Sequence, residues 1–415
     1  MSVLLVGCSG NQTSQNPLSA TPTGAPASAT ATTTESGKAV PAALAGSTSF
    51  SATVALLVPL TATGQTAEIA KRLKQAGELA LFEYRNPSLQ LIVKDTAGTE
   101  EGARQAATAA IEAGAEVILG PLFGKAVTAA ASVARPANVP IIGFSNNPAV
   151  AGNGVYLLSF LAEQEIDRVI GFAVESGKQR FAGLIQEGPY GDSMQAAFRK
   201  ALTRNGGLLV DQRRYPAGAT GMLARIDELL EAIAGEDGQP PRAEAIFVPG
   251  DPSNLPTIGA ALANGKLDTQ SVKLLGNGGW DFAGNGRTKA LQGGWFAAPD
   301  PSGFEGFAGK FASTFGSQPP RIASFAYDGV AIAAALAKAY PKGTRYQAAQ
   351  LTNPSGFSGV DGPVRFLPNG LSERALAVIE VGEAGPRIVS PAPTTFNGPQ
   401  ARAQTAPLER NVFAQ

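Results

Sequence analysis

From Ser51 onward, short apolar runs alternate with stretches of helical periodicity, and this rhythm restricts the fold more than any other feature of the chain. Val54–Val58, Leu89–Val93, Val117–Leu119 and Val139–Ile142 are short and apolar enough to be strands buried on both faces. Between them Ile69, Leu73, Ala76 and Ala80 recur at three- and four-residue steps. Thr99 stands where it can cap an alanine-rich helix over 100–113, and a further helix is predicted over 125–134. The rhythm resumes after Tyr156, with helices predicted over 164–175, 193–204, 221–234 and 255–263. Strands are predicted over 181–185, from 208, over 244–248 and over 272–275. Alternation of this kind specifies an α/β fold of doubly wound parallel sheets with helices on both faces. There is too much of it for one sheet, so two lobes are expected. Ligands of such sheets sit beyond the carboxyl ends of the strands, here 59–64, 95–98, 120–124, 144–148, 186–192, 249–253 and 276–282.

Composition narrows the chemistry. The 415 residues include no histidine and one cysteine, Cys8. Histidine-based nucleophile systems, general bases and metal sites are excluded, as are an internal disulfide and a Cys-rich metal site. Lys+Arg and Asp+Glu are both 33, so nucleic-acid binding through general basicity is not expected. Asp95, Asp251 and Asp281 all fall at predicted strand ends, where two carboxylates can in principle serve as acid and base. Nothing in the sequence activates a nucleophile. A binding protein without metal or cofactor is expected, not an enzyme.

The first fifty residues read differently. Leu5-Val6-Gly7-Cys8 resembles the lipobox of bacterial lipoproteins, in which the cysteine is acylated and the leader before it is removed. The apolar run is shorter than the roughly 7–15 residues of a signal peptide, and no Lys or Arg precedes Lys38. Residues 1–8 are therefore expected to be a truncated leader, the alternative being a lone thiol in a ragged terminus. Acyl chains anchor a protein at about 0.8 kcal/mol per buried methylene. Ser9 after the cysteine resembles outer-membrane sorting, which implies a periplasmic, lipid-anchored location. Residues 9–50 are nearly all Ser, Thr, Ala, Pro, Gly, Asn and Gln and are expected to be a disordered tether. As a flexible coil such a tether averages roughly 35 Å end to end. No run of eighteen apolar residues occurs anywhere in the sequence.

The strand-end residues carry a resemblance. Pro59 to Gly64, Asp95-Thr96-Ala97-Gly98, Val117 to Pro121, Pro140-Ile141-Ile142 with Ser145, Tyr190-Gly191 and Ala323 to Asp328 look like the leucine/isoleucine/valine branch of type I periplasmic binding proteins. A narrower set is Gly120-Pro121-Leu122-Phe123, Gly143 to Asn147, Val150-Ala151-Gly152 and Gly154 to Leu158. It resembles the penicillin-binding protein activator lipoproteins. Those contact a peptidoglycan synthase, and their carboxy-terminal domain has this fold; the helical-repeat domain that precedes it in them has no counterpart here. The resemblance implies three crossovers, near 159–163, 297–301 and 360–372. One lobe is then 51–160 with 301–360, the other 161–297 with 365–390, and 391–415 a flexible tail.

The same resemblance points to site residues. Amino-acid-binding relatives place Ser and Thr on the third and fourth strand loops, and the matching positions here are Gly124, beside Phe123, and Asn147. Backbone N–H groups at a helix start can still hold an anion. Thr61 lies at the first strand end. Ser145, Asn146 and Asn147 are either a polar rim around a ligand or an Asx-type turn satisfying its own backbone. Tyr190 either stacks on a ligand or packs within its loop. Asp251 either receives a ligand ammonium or is the N-cap of the 255–263 helix. Trp280, in a glycine-rich loop over 276–281, either covers the cleft or packs between the lobes. Two functions are expected. The first is an activator that works by contact with a penicillin-binding protein. The alternative is a transport receptor that closes over an amino acid, an amide or another small polar ligand and presents it to an ABC permease.

Overall fold

The computed structural model describes residues 52–396, apart from 86–88, 217–218, 237–238 and 266. Cys8, the tether and the tail beyond 396 lie outside the described residues.

The first sheet has five strands: β1 (Ala52–Val58), β2 (Leu89–Asp95), β3 (Val117–Leu119), β4 (Ile141–Gly143) and β5 (Val155–Leu157), in the order β2-β1-β3-β4-β5. All neighbours are parallel. β1 shows why an unbroken apolar run becomes a central strand. Every residue of it is buried, and it pairs on both sides, Val54 with Leu91 and with Val117. Its side chains alternate between two cores. Val54, Leu56 and Val58 pack toward α1 (Gln65–Tyr84), whereas Ala55 and Leu57 pack toward α2 (Glu100–Glu112) and α3 (Gly124–Ala134). Each fully buried Leu or Val contributes about 1.5–3 kcal/mol. The helix periodicity of Leu73, Ala76 and Ala80 is the face of α1 that meets this core. β5 is a strand that alternation alone did not announce; only the 154–158 resemblance run marked the place.

The second sheet is built in the same way from β6 (Arg180–Gln186), β7 (Leu208–Tyr215), β8 (Ala245–Phe247), β9 (Lys273–Gly276) and β10 (Trp295–Ala298). Ala182, Leu184 and Ile246 face one core; Phe181, Ile185 and Phe247 face the other. Here α4 (Ala162–Glu175), α5 (Pro189–Asn205), α6 (Ala219–Ile233) and α7 (Leu255–Asn264) supply the covering layers. Two more helices, α8 (Pro301–Phe315) and α9 (Ala323–Ala339), return to the first lobe and pack on its α1 side. A small antiparallel sheet follows, of β11 (Phe357–Gly359), β12 (Gly362–Phe366) and β13 (Ser372–Arg374). The chain then adds β14 (Ala377–Glu380) and β15 (Arg387–Ser390) to the edge of the second sheet, whose order is β15-β14-β10-β9-β8-β6-β7. β14 enters where β10 leaves, Ala377 opposite Ala298, so the parallel core carries an antiparallel edge. The chain thus passes between the lobes after β5, after β10 and through β12 and β13.

One boundary bears on the site. The segment 186–192 reads as a loop from the sequence, but α5 begins at Pro189. Proline is well suited to a first helical position, where no N–H is needed. Tyr190 is therefore held in the first turn of a helix.

Candidate functional site

At the carboxyl ends of the first sheet, polar groups are largely spent on one another. Thr61 is exposed, and its hydroxyl donates to Asp95 Oδ2 at 2.6 Å while its N–H donates to Oδ1 at 3.3 Å. Asp95 also accepts from the N–H of Ala97 at 2.8 Å. Burial pushes its carboxyl up, but the Thr61 hydroxyl and these backbone donors together hold it below the usual carboxylate range. Thr99 caps α2 as its position predicts, accepting from the N–H of Gly102 at 2.9 Å. Gly124, Ser145 and Asn147 come together. A Cβ on Gly124 would lie 3.2 Å from Asn147 Nδ2 and 3.4 Å from Ser145 Oγ. Ser145 is buried and accepts from the Asn147 N–H at 3.1 Å, and Asn147 Oδ1 accepts from the Ala149 N–H at 3.1 Å. The turn thus satisfies its own backbone, while Asn146 is exposed at its tip.

α3 has no side-chain cap, because Phe123 occupies the capping position. Phe123 is half-exposed, and with Gly98, Thr99, Gly124, Lys125 and Asn147 it lines a cavity of about 460 Å³. The amino ends of α2 and α3 both open on this cavity, and helix starts favour anionic groups. Lys125 and Glu100 face each other at 3.8 Å, both well exposed, a pair of little energetic weight.

The second lobe presents a different rim. Tyr190 is 48 % exposed, and its phenolic oxygen accepts from Asn277 Nδ2 at 3.0 Å. Asn277 is itself fixed by the Gly250 N–H, which donates to its Oδ1 at 3.1 Å. Burial, with smaller contributions from the charges of Glu165 and Asp251, raises the Tyr190 phenol above its ordinary range despite the Asn277 hydrogen bond. Asp251 is exposed, and its Oδ1 accepts from the N–H and the hydroxyl of Ser253 at 2.8 and 2.5 Å. That turn precedes α7, with the Leu255 N–H donating to the Asp251 carbonyl at 3.0 Å, but the capping position is held by Asn254, so Asp251 is not the N-cap the sequence suggests.

Trp280 corrects one expectation. It is fully buried in the core of the second lobe and donates its indole N–H to the Val248 carbonyl at 2.9 Å, so it neither covers a cleft nor packs between the lobes. The glycine-rich loop around it serves close packing. A Cβ on Gly276 would lie 2.3 Å from the Trp280 ring.

Sequence reasoning missed Glu165. It lies in the first turn of α4, is buried, and accepts from the Gly278 N–H at 2.9 Å. Burial is the main cause that raises its carboxyl to about 7; the Gly278 N–H and Arg321 oppose it, and Asp281 adds to it. An acidic residue in a first turn looks like ordinary helix-end electrostatics, and only the three-dimensional approach of the 277–279 loop distinguishes it.

Below the rims an ionic cluster joins the lobes. Arg321 donates through Nη1 to Asp281 Oδ2 at 2.6 Å and through Nε to Asp361 Oδ1 at 3.0 Å. Asp361 is fully buried and also accepts from the Ser324 hydroxyl at 2.6 Å. The buried Arg374 lies over Phe160 and Phe325, its Cζ 5.0 and 5.5 Å from the ring centroids, and donates through Nε to the Ser159 carbonyl at 3.3 Å. These residues sit where the chain passes from lobe to lobe.

Comparison with known proteins agrees with this architecture. A family model described as periplasmic binding protein matches residues 51–386. No curated protein matches the sequence. A putative branched-chain amino acid ABC transporter protein from Rhodospirillum rubrum has a similar solved structure, with TM-score 0.71, 20% identity, and coverage of 82% of this chain and 100% of that one. A solute binding protein of an ABC transporter from Rhodopseudomonas palustris, solved with 3,4-dihydroxy benzoic acid, gives TM-score 0.56 at 19% identity, covering 83% and 99%. A substrate-binding protein from Desulfitobacterium hafniense, solved with Leu, gives 0.60 at 19%, covering 82% and 100%.

Proposed function

The chain belongs to the periplasmic binding proteins, and from that premise we propose that it is the solute-binding receptor of an ABC transporter for a small polar ligand. The observation that carries this reading is the contrast of the two rims. Helix starts at a cavity of about 460 Å³ suit an anionic group on one lobe, and a half-exposed tyrosine beside a buried carboxylate marks the other. Phe123 and Tyr190 are the exposed aromatics of the two rims, suited to the apolar part of a ligand. Solved relatives of this fold hold Leu and 3,4-dihydroxy benzoic acid, which sets the size class to be tested. Closure of the lobes over the solute and presentation to a permease is the mechanism that follows. Titration of the full chain with a library of amino acids, amides and aromatic acids, followed by calorimetry, tests it. Saturable binding by one class supports the reading, and no heat from any class overturns it.

A second reading has its own observation. Ser145 and Asn147, which would face a ligand in the first lobe, each have their side-chain oxygen engaged by a backbone N–H of their own turn. That favours contact between the lobe surface and a peptidoglycan synthase, in the manner of the penicillin-binding protein activators that the 143–158 run resembles. Passing detergent-solubilised envelope over the immobilised chain separates the two. Retention of a penicillin-binding protein without a permease supports the activator, and retention of a permease supports the receptor. In either case Cys8 is the proposed lipid attachment and the outer membrane the proposed location, to be checked by the mass of the amino-terminal peptide and by membrane fractionation.

A further inference from the structure

We propose that residues 391–396 are a strap that resists closure of the lobes, with Phe396 as its clasp. The proposal goes beyond the solute-binding reading, since it concerns how the lobes move and not what they bind. After β15 the chain does not stay on the second lobe. Ala392 packs against the second-lobe core, whereas Phe396, four residues on, is 7 % exposed and lies against the small sheet of β11 to β13. Arg365 of β12 covers the Phe396 ring, its Cζ 4.6 Å from the centroid. A Cβ on Gly356, just before β11, would lie 3.0 Å from Phe396 Cδ2, so the glycine gives the ring its room. The guanidinium is held in place by other groups. Glu373, opposite Arg365 on β13, accepts from its Nε and Nη2 at 2.9 and 2.7 Å, and the Pro354 carbonyl accepts from Nη1 at 3.3 Å. A buried ring under a fixed arginine combines apolar burial with a cation–π contact, which makes it an anchor.

The small sheet moves with the first lobe. Val364 and Phe366 belong to the core under α1 and α9, and the Phe366 ring lies 5.7 Å from that of Tyr156 on β5. The strap is therefore a fourth connection between the lobes, beyond the three passages of the chain. Its root on the second lobe is fixed, because Arg168 of α4 donates through Nη2 to the Ser390 hydroxyl at 2.5 Å and through Nε to the Leu376 carbonyl at 3.1 Å. It has little slack: the four steps from Ala392 to Phe396 span at most about 14 Å, and Pro391 and Pro393 stiffen it. Its place gives the sign of the effect. The three passages reach the second lobe at β10, at β14 and at α4, which packs on β10. The strand ends that carry the second rim, β6, β8 and β9, lie to one side of β10, and β15 lies to the other, outside β14. β15 is antiparallel to β14, and β14 to β10, so Ser390 ends at the same end of the sheet as Ala298. The strap thus crosses to the first lobe on the far side of the hinge from the cleft. Closing the cleft draws its two anchors apart, and the clasp opposes that movement.

The test measures the distance between the lobes without added solute. Spin labels are placed on the full chain at Glu101→Cys, in the first turn of α2, and at Thr257→Cys, in the first turn of α7, with Cys8→Ser so that only these two thiols react. Both positions are exposed. Two changes are compared with the parent by pulsed dipolar spectroscopy. Phe396→Ala removes the clasp. A Gly-Ser-Gly-Ser insertion between the exposed Thr394 and Thr395 leaves Phe396 in its seat and adds slack. In each, the population at the shorter, closed distance is expected to rise several-fold over the parent. The insertion separates a tie from mere packing, since a ring that only fills space would be indifferent to the length of the strap. Unchanged distances in the insertion variant would overturn the proposal, even with a shift in Phe396→Ala. A shift toward longer distances in either would show that the strap draws the lobes together, and would overturn it too. If Phe396→Ala does not fold, as judged by circular dichroism, the insertion variant alone decides.

Discussion

The two rims face the same task with opposite economies of polar groups. In the first lobe most partners at the strand ends are local, as Asp95 takes Ala97, Thr99 takes Gly102 and Asn147 takes Ala149, with the Thr61–Asp95 pair spanning 34 positions. In the second lobe Asp251 takes Ser253 two residues on, but Glu165 is held across 113 positions and the Tyr215 hydroxyl is left bare. Local turns are cheap to order and rigid, and they present backbone donors. Long-range support costs more, yet it can hold a buried charge in readiness. The comparison teaches that the specificity of such a cleft need not be shared equally by its halves.

The largest effect should come from removing the support of the second rim. Trp280 props the 276–279 loop that carries Asn277 and Gly278, and Trp280→Ala should cost about 3–5 kcal/mol in denaturant unfolding. A loss under about 1 kcal/mol would mean that the loop keeps its shape without the indole and that the second rim is no less local than the first.

The next effect is on pH dependence, where the rims have opposite signs. Glu165 is raised to about 7, so its share of stability is present below the unfolded carboxylate range and is lost as pH rises through about 7. Asp328 in the interior, also raised to about 7 chiefly by burial, acts in the same direction. Asp95 is lowered, so its share is present at neutral pH and is lost as pH falls through its folded pKa. Ligand-free stability should therefore decline from about pH 5 to pH 8, by roughly 2–3 kcal/mol for each raised group. Glu165→Gln should flatten that limb, and Asp95→Asn should flatten only the acid limb. A Glu165→Gln profile parallel to that of the parent would remove the contrast between the rims.

Legibility in the sequence follows the same division. The helix cap at Thr99 and the strands around β1 depend on neighbours in sequence, and the alternation of apolar runs fixed their places. The first rim was legible for that reason, although the choice between a polar rim and a self-satisfied turn stayed open until Ser145 and Asn147 were seen to accept from their own turn. The second was not. Trp280 in a glycine-rich loop is ambiguous until β8 brings the Val248 carbonyl to its indole, and Glu165 is an ordinary first-turn acid until the 277–279 loop folds over it. The antiparallel sheet of β11 to β13 escaped because its strands are short and its residues mostly half-buried, so neither alternation nor a long apolar run announces it.

Smaller effects sharpen the first rim. Thr99→Ala removes the α2 cap and should cost about 1 kcal/mol without changing which solutes bind, since the N–H groups remain. Gly124→Ser asks the finer question. The new Cβ would meet Asn147 Nδ2 at 3.2 Å and Ser145 Oγ at 3.4 Å, a tight fit that small adjustments of the Asn147 side chain can accommodate. Stability should then change by no more than about 0.5 kcal/mol. The added hydroxyl stands at the start of a helix with no side-chain cap and beside the cavity, so it can donate to an anionic group there. A carboxylate ligand should bind several-fold more tightly, about 1 kcal/mol for one added hydrogen bond. Unchanged affinity would mean that the anionic end of the solute does not reach α3, and that recognition rests on the second lobe alone.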